Sequence, residues 1–255
     1  RTVKPYHLIL LATNTTGYKN LLKLTSEAHL KGFYYKPRFD WETLARYSDG
    51  LIALTGCLSG PLSKPIIADD DDLLKTNMVK LLDIFSRDNV YLELQNRPTL
   101  PEQSKINSTL KRMSSDYKVK LVATNDVHYI NTEDAAAHDV LLCMQTKAHL
   151  SDKNRMSYLG EDVSLLSEEQ MTELFPDSPE AIATTQEIAD RCTLAIELGK
   201  INLPYFEIPG GRTSDEYLQE LAYQGIARRY GVSLTEASPQ LHQRPGHQRH
   251  AVRRV

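Results

Sequence analysis

The sequence has little cysteine, no long apolar run and almost no net charge. Its three cysteines, Cys57, Cys143 and Cys192, are odd in number and far apart, which argues against a disulfide-rich secreted protein. The most apolar opening segment, residues 7–12, has the length of a strand and not of a membrane helix. The net charge of −3 excludes a broad basic surface for tight nonspecific DNA binding. We expect a cytoplasmic protein that does not span a membrane.

Several catalytic motifs and an initiator methionine are also missing. No P-loop, G-x-G-x-x-G, G-x-S-x-G or paired C-x-x-C motif occurs, so nucleotide cradling, dinucleotide binding, serine hydrolysis and zinc ribbons lack support. The opening, residues 1–6, has neither Met nor the basic-then-apolar profile of a secretory signal. We therefore expect that further residues precede Arg1 in the natural protein.

The first half of the chain alternates strand-length apolar runs with helix-period segments. Such alternation implies parallel strands joined by right-handed crossovers, and hence an α/β barrel or open sheet. Ligands gather at the carboxyl ends of the strands in both architectures. The predicted strands are 7–13, 51–55, 90–95 and 120–124, and the helices between them are 18–30, 69–86 and 102–116.

The second half is predicted to be helical, without a further strong strand. The residues at 204–212 form a connector with Pro and Gly, and Ser214 is the expected N-cap of the helix after it, which places a boundary near residue 205. The tail 232–255 is rich in His and Arg and has no apolar period, so it is expected to be disordered or aberrant. The predicted helices are 132–146, 167–175, 179–192 and 217–230.

Four residues that suit divalent metals lie at the ends of predicted strands. Asp126 and His128 follow the strand 120–124, and residues i and i+2 of an extended chain point to one side. His7 begins the first strand and Cys57 follows the second. Carboxylate, imidazole and thiolate suit zinc, manganese or iron. Taken singly, each residue is more simply a turn, surface or core residue; taken together, they point to a metal site.

An aromatic and basic cluster stands apart from these four residues. It comprises Tyr34, Tyr35, Lys36, Pro37 and Arg38. Lys36 and Arg38 are candidates to hold a nucleic-acid phosphate, and the guanidinium of Arg38 suits bidentate contact best. A packed loop explains the cluster equally well.

Several ordered segments of the chain are distinctive when taken together. The clearest are Tyr6-His7-Leu8-Ile9-Leu10-Leu11-Ala12, Gly32-Phe33-Tyr34-Tyr35-Lys36-Pro37-Arg38, Gly50-Leu51-Ile52-Ala53-Leu54-Thr55-Gly56-Cys57-Leu58 and Val122-Ala123-Thr124-Asn125-Asp126-Val127-His128-Tyr129. Together these segments resemble one known family, the PHP domain of bacterial DNA polymerase III alpha subunits. The resemblance covers roughly residues 5–231.

The resemblance implies a distorted (β/α)7 PHP barrel lacking its first strands, followed by a helical segment. It places His7, Cys57, Asp126 and His128 on metal-ligand positions and implies zinc or manganese there, with magnesium for the parent polymerase. Family members that keep the full ligand set resemble metal-dependent phosphoesterases and 3′ to 5′ exonucleases. The H-x-H pair of the first barrel strands and other family ligands are absent, so a multi-metal hydrolytic site is not expected, and catalytic residues stay unassigned.

The resemblance leads to a hypothesis for the whole chain. Residues 1–205 are expected to form a partial PHP domain, helical after about residue 132, and 206–231 a linker and helix towards the polymerase palm. We interpret the chain as a fragment of a replicative alpha subunit with DNA and other replisome subunits as partners, and expect no polymerase activity from it alone. Two alternatives stay open: a free-standing phosphoesterase for a small phosphate ester such as histidinol phosphate, and a non-catalytic replisome scaffold.

Overall fold

Four strands form one sheet in the order β1-β2-β3-β4, which confirms the mixed α/β class. The computed structural model describes residues 5–201 and 203–231, so the tail predicted at 232–255 lies outside the described residues. The strands are β1 Ile9–Ala12, β2 Leu51–Leu54, β3 Val90–Gln95 and β4 Lys120–Thr124. The helices are α1 Thr15–Leu30, α2 Trp41–Arg46, α3 Ser63–Ile67, α4 Asp71–Phe85, α5 Pro101–Tyr117, α6 Ala135–Thr146, α7 Glu168–Leu174, α8 Pro179–Arg191 and α9 Ser214–Tyr230.

The direction of β1 differs from the sequence prediction. Strands β2, β3 and β4 pair in parallel as expected, but β1 pairs with β2 antiparallel, so the prediction of parallel pairing was wrong for this strand. The connection between them explains the difference. The amide of Thr13, just after β1, donates to the carbonyl of Gly50, just before β2, at 2.9 Å. Strand β2 therefore begins at the same end of the sheet at which β1 finishes.

The sheet buries side chains on both faces. In β2, Leu51 and Ala53 join the larger apolar cluster, whereas Ile52 and Leu54 join a smaller one, as the strand period of two requires. Helices α4 and α5 cover the first face, and Ile188 of α8 packs on the second. Burial on both faces gives the strands nearly continuous apolar sequences.

Local capping explains where several helices begin. Asn14 caps α1 by accepting from the Gly17 amide at 3.0 Å, and Asp70 caps α4 by accepting from the Leu73 amide at 2.9 Å. Thr213 caps α9 through a capping box with Glu216, so the assignment of Ser214 as N-cap was wrong by one residue. The short helices α2 and α3 were not predicted.

The chain divides into two units, residues 1–196 and residues 197–255. The described part of the second unit contains α9 and the 3-10 turn Pro209–Gly211. The functional division at residue 205 stays a prediction. Within the described residues, no helix has the length and apolar character needed to cross a membrane.

Candidate functional site

The antiparallel direction of β1 brings His7 to the edge where the parallel strands end. His7 precedes β1, and Cys57 follows β2, so the two residues lie at the same end of this strand pair. Nδ1 of His7 lies 3.3 Å from Sγ of Cys57. The amide of His7 also donates to the carbonyl of Ser59 at 3.0 Å, which fixes the residue against the turn after β2. Two of the four predicted metal ligands are therefore in contact.

Asp126 and His128 follow β4 but do not continue its extended geometry. Asp126 has a φ of 50°, in the left-handed region, so the prediction that the pair follows strand alternation was wrong. Its carboxylate accepts from the guanidinium of Arg97 at 2.9 Å. Nδ1 of His128 donates to the carbonyl of Asp126 at 2.5 Å, and the His128 amide donates to the carbonyl of Val163 at 2.8 Å. Each side chain thus already has a partner.

Arg97 is the central charge of this edge and was not predicted from the sequence. Its side chain is 7% exposed and forms ion pairs with Asp126 and with Glu161, which is 9% exposed. A signal for it was present, because Arg97 follows β3 by two residues, just as Asp126 follows β4. Arginine is not a metal ligand, so a pattern of metal-binding residue types does not include it.

Tyr158 packs beside both Arg97 and His128. The Arg97 guanidinium lies 5.2 Å from the centre of the Tyr158 ring, and the His128 ring centre lies 4.5 Å from it. Burial raises the pKa of the Tyr158 phenol, and the charge of Asp126 raises it further. Because the phenol's ordinary pKa is already 10.0, the raised pKa keeps Tyr158 neutral at physiological pH.

Glu93 ties the ends of the three parallel strands together. Its buried carboxylate accepts from the Gly56 amide at 3.0 Å, from the Thr124 hydroxyl at 2.6 Å and from the Gln95 amide group at 3.1 Å. These bonds set the turn that presents Cys57. The sequence carried a signal for this residue, since Glu93 is the one charged residue inside the strand 90–95.

The four predicted ligands do not fit a bound metal in this arrangement. Among the described contacts, His7 and Cys57 are the two of the four whose side chains touch each other, and the Asp126 carboxylate is neutralised by a buried guanidinium. Over residues 5–201 and 203–231, no group of three or more His, Cys, Asp or Glu side chains could hold a metal ion. Protein zinc sites take at least three protein ligands, so the geometry supplies too few.

Lys36 and Arg38 lie in the loop between α1 and α2. The Arg38 guanidinium lies 4.9 Å from the centre of the Tyr34 ring, and the Tyr34 amide donates to the Lys36 carbonyl at 3.2 Å. None of the described contacts joins these two residues to His7 or Cys57. They therefore form a separate candidate site.

The first part of the chain, which contains His7 and Cys57, matches a known family. Residues 1–97 match the model of the PHP domain. Over most of its length, the chain is also similar to proteins named DNA polymerase III subunit alpha. Identity is 41% over 91% of this chain for Thermus aquaticus, 40% over 91% for Treponema pallidum and 42% over 88% for Borreliella burgdorferi.

These comparisons confirm the resemblance drawn from the sequence: the chain contains a PHP-domain match and is related to DNA polymerase III alpha subunits. It spans about a fifth of the length of the curated relatives it matches, 19% for the first and 20% for the next two. The family match also supports a divalent metal as the class of cofactor, which contrasts with the two-ligand geometry of the edge.

Proposed function

We propose that this chain is the PHP segment of a replicative DNA polymerase III alpha subunit. The observation that carries the proposal is the 41% identity over 91% of the chain to an alpha subunit. In this proposal the parent protein synthesises DNA with magnesium at a palm elsewhere, works in the cytoplasm, and has DNA and other replisome subunits as partners. The chain by itself incorporates no nucleotides.

The proposed architecture is part of a distorted (β/α)7 PHP barrel. Support comes from β2, β3 and β4, which are parallel neighbours and are joined by the helices α4 and α5 on one face of the sheet. In this proposal the segment 1–205 is the PHP part, and α9 within 206–231 leads towards the palm.

The four strand-end residues His7, Cys57, Asp126 and His128 are proposed as the remnant of a metal site for zinc or manganese, related to 3′ to 5′ exonuclease chemistry. Support comes from the 3.3 Å contact between His7 and Cys57 and from their place at the strand ends. Because Arg97 contacts one oxygen of the Asp126 carboxylate, the second oxygen is the one that a metal would use in this proposal.

A non-catalytic scaffold is the second candidate, and the buried ion pairs of Arg97 favour it. A guanidinium that already neutralises Asp126 and Glu161 supplies the charge that a metal would otherwise bring. The edge is then stable without an ion. The free-standing phosphoesterase has no corresponding support, since the relatives named above are polymerase subunits.

Elemental analysis of the purified chain separates the two candidates. The remnant metal site predicts near-stoichiometric zinc or manganese in the wild-type protein. This metal should be lost in the Cys57→Ala variant and retained in a Cys192→Ala control. An absence of metal in all three proteins supports the scaffold. Nucleotide incorporation on a primed template tests the larger proposal, because measured synthesis by the chain alone would overturn it.

A further inference from the structure

The loop 32–38 between α1 and α2, here named the tyrosine loop, is closed tightly at its base. A Cβ added to Gly32 would lie 1.7 Å from the carbonyl oxygen of Arg38, so the two backbones touch. Tyr34 and Lys36 are the sequence neighbours of Tyr35, and the Tyr34 amide donates to the Lys36 carbonyl at 3.2 Å. The loop therefore holds Tyr35 at the tip of a narrow, hydrogen-bonded turn.

Tyr35 is unfavourable for folding in two respects. Its φ of 60° is left-handed, where a bulky side chain is strained and glycine is not. Its side chain is 85% exposed and has an edge contact with Tyr34, the ring centres 4.6 Å apart. Strained backbone concentrates at ligand-binding positions. An exposed aromatic ring on strained backbone is therefore better explained by a ligand than by packing.

Two cations follow this ring in the loop, and neither has a carboxylate partner in the part of the chain that the structure describes. Among the described ion pairs, none includes Lys36 or Arg38. The Arg38 guanidinium lies over the Tyr34 ring at 4.9 Å, and the Tyr34 ring in turn has an edge contact with the Tyr35 ring. The loop thus combines an exposed ring with two positive charges.

We propose that the tyrosine loop binds single-stranded nucleic acid, with an unpaired base stacked on Tyr35 and the flanking phosphates held by Lys36 and Arg38. Aromatic stacking beside a positive track is the general way in which proteins bind unpaired strands. A duplex offers no free base face along its length, so the loop discriminates against it. The proposal concerns a surface apart from the metal-ligand positions and does not rest on them.

The test uses fluorescence polarisation of a labelled oligo(dT) of about 12 nucleotides at about 50 mM salt. The decisive variant is Tyr35→Gly, because glycine accepts the φ of 60° and removes the strain together with the ring. We expect it to melt at or above the wild-type temperature and to bind about 5- to 150-fold more weakly. Tyr205→Gly, which removes a tyrosine that is 91% exposed, is the matched control and should bind normally.

The salt dependence tests the two cations separately. In Lys36→Gln/Arg38→Gln, the slope of log affinity against log salt should fall by about 1.4, since each phosphate contact on a single strand contributes about 0.7. Four results would each overturn the proposal. Two concern the wild-type protein, which would give no polarisation change or would prefer duplex DNA. The other two concern the variants: Tyr35→Gly would bind within about twofold of wild type, or the double variant would leave the salt slope unchanged. The proposed polymerase origin would be unaffected by any of these results.

Discussion

Replacing Arg97 by methionine tests whether its ion pairs hold the edge of the sheet together. Methionine keeps much of the unbranched length of arginine but removes the charge, so packing changes little. The variant leaves Glu161, 9% exposed, and Asp126, 27% exposed, without their cation. Thr99 still donates to Glu161, which offsets part of the loss.

Removal of one partner from a buried ion pair costs about 3–5 kcal/mol, because the other charge stays buried. Since Asp126 is partly exposed, we expect the free energy of unfolding to fall by about 3–4 kcal/mol. For a domain of this size, that loss lowers the melting temperature by roughly 6–16 °C.

Urea unfolding followed by circular dichroism measures the loss. Arg97→Met/Glu161→Gln should recover at least half of it, because the double variant no longer buries an unpaired carboxylate. Arg46→Met, which removes an exposed pair with Glu42, is the control and should cost less than about 0.5 kcal/mol. A loss of less than about 1 kcal/mol in Arg97→Met would refute the reasoning, since exposed pairs have that magnitude.

Three further predictions concern packing, acid stability and metal removal. Gly17→Ala places a Cβ 2.0 Å from the Gly50 carbonyl oxygen, so the free energy of unfolding measured in urea should fall by about 1–3 kcal/mol. The control Gly225→Ala adds a Cβ in open space and should not destabilise the protein. Equal effects of the two changes would contradict the steric argument. Hydrogen bonds from Arg155 hold the pKa of Asp139 below its ordinary 3.8, so its stabilisation is present above pH 3.8 and is lost as the pH falls through the lowered pKa. Asp139→Asn should therefore flatten the acid decline of the melting temperature, and an unchanged slope would show that the carboxylate is not responsible. The scaffold candidate predicts that chelator leaves the melting temperature unchanged, because a buried arginine already neutralises the edge. The remnant metal site predicts a decrease, and a large decrease would therefore count against the scaffold.

The sequence predicted the parallel strands well because each is buried on both faces. The predicted limits of β3 and β4, 90–95 and 120–124, are those of the structure. The direction of β1 was not predictable in this way, since a strand's own composition does not record the direction in which it pairs. Helices α2 and α3, with 6 and 5 residues, are too short to show a helical period.

The candidate site was predictable only where its residues follow strands. His7, Cys57 and Asp126 were identified because strand ends gather functional side chains. Tyr158 and Glu161 were not, because they come from a non-repetitive segment that is distant in sequence from Arg97, which both of them contact. The left-handed φ of Asp126 was also hidden, since Asp is compatible with both extended and left-handed backbone.

The antiparallel pairing of β1 makes the His7–Cys57 contact a reporter of strand registration. Ile9 lies opposite Leu54, and among the described strands β2 is the one neighbour that pairs with β1. A slip by one residue would exchange the two faces of β1 and carry the imidazole away from the thiol. A spectroscopic signal that requires contact between these two side chains would therefore report the fraction of molecules in which β1 has its native register.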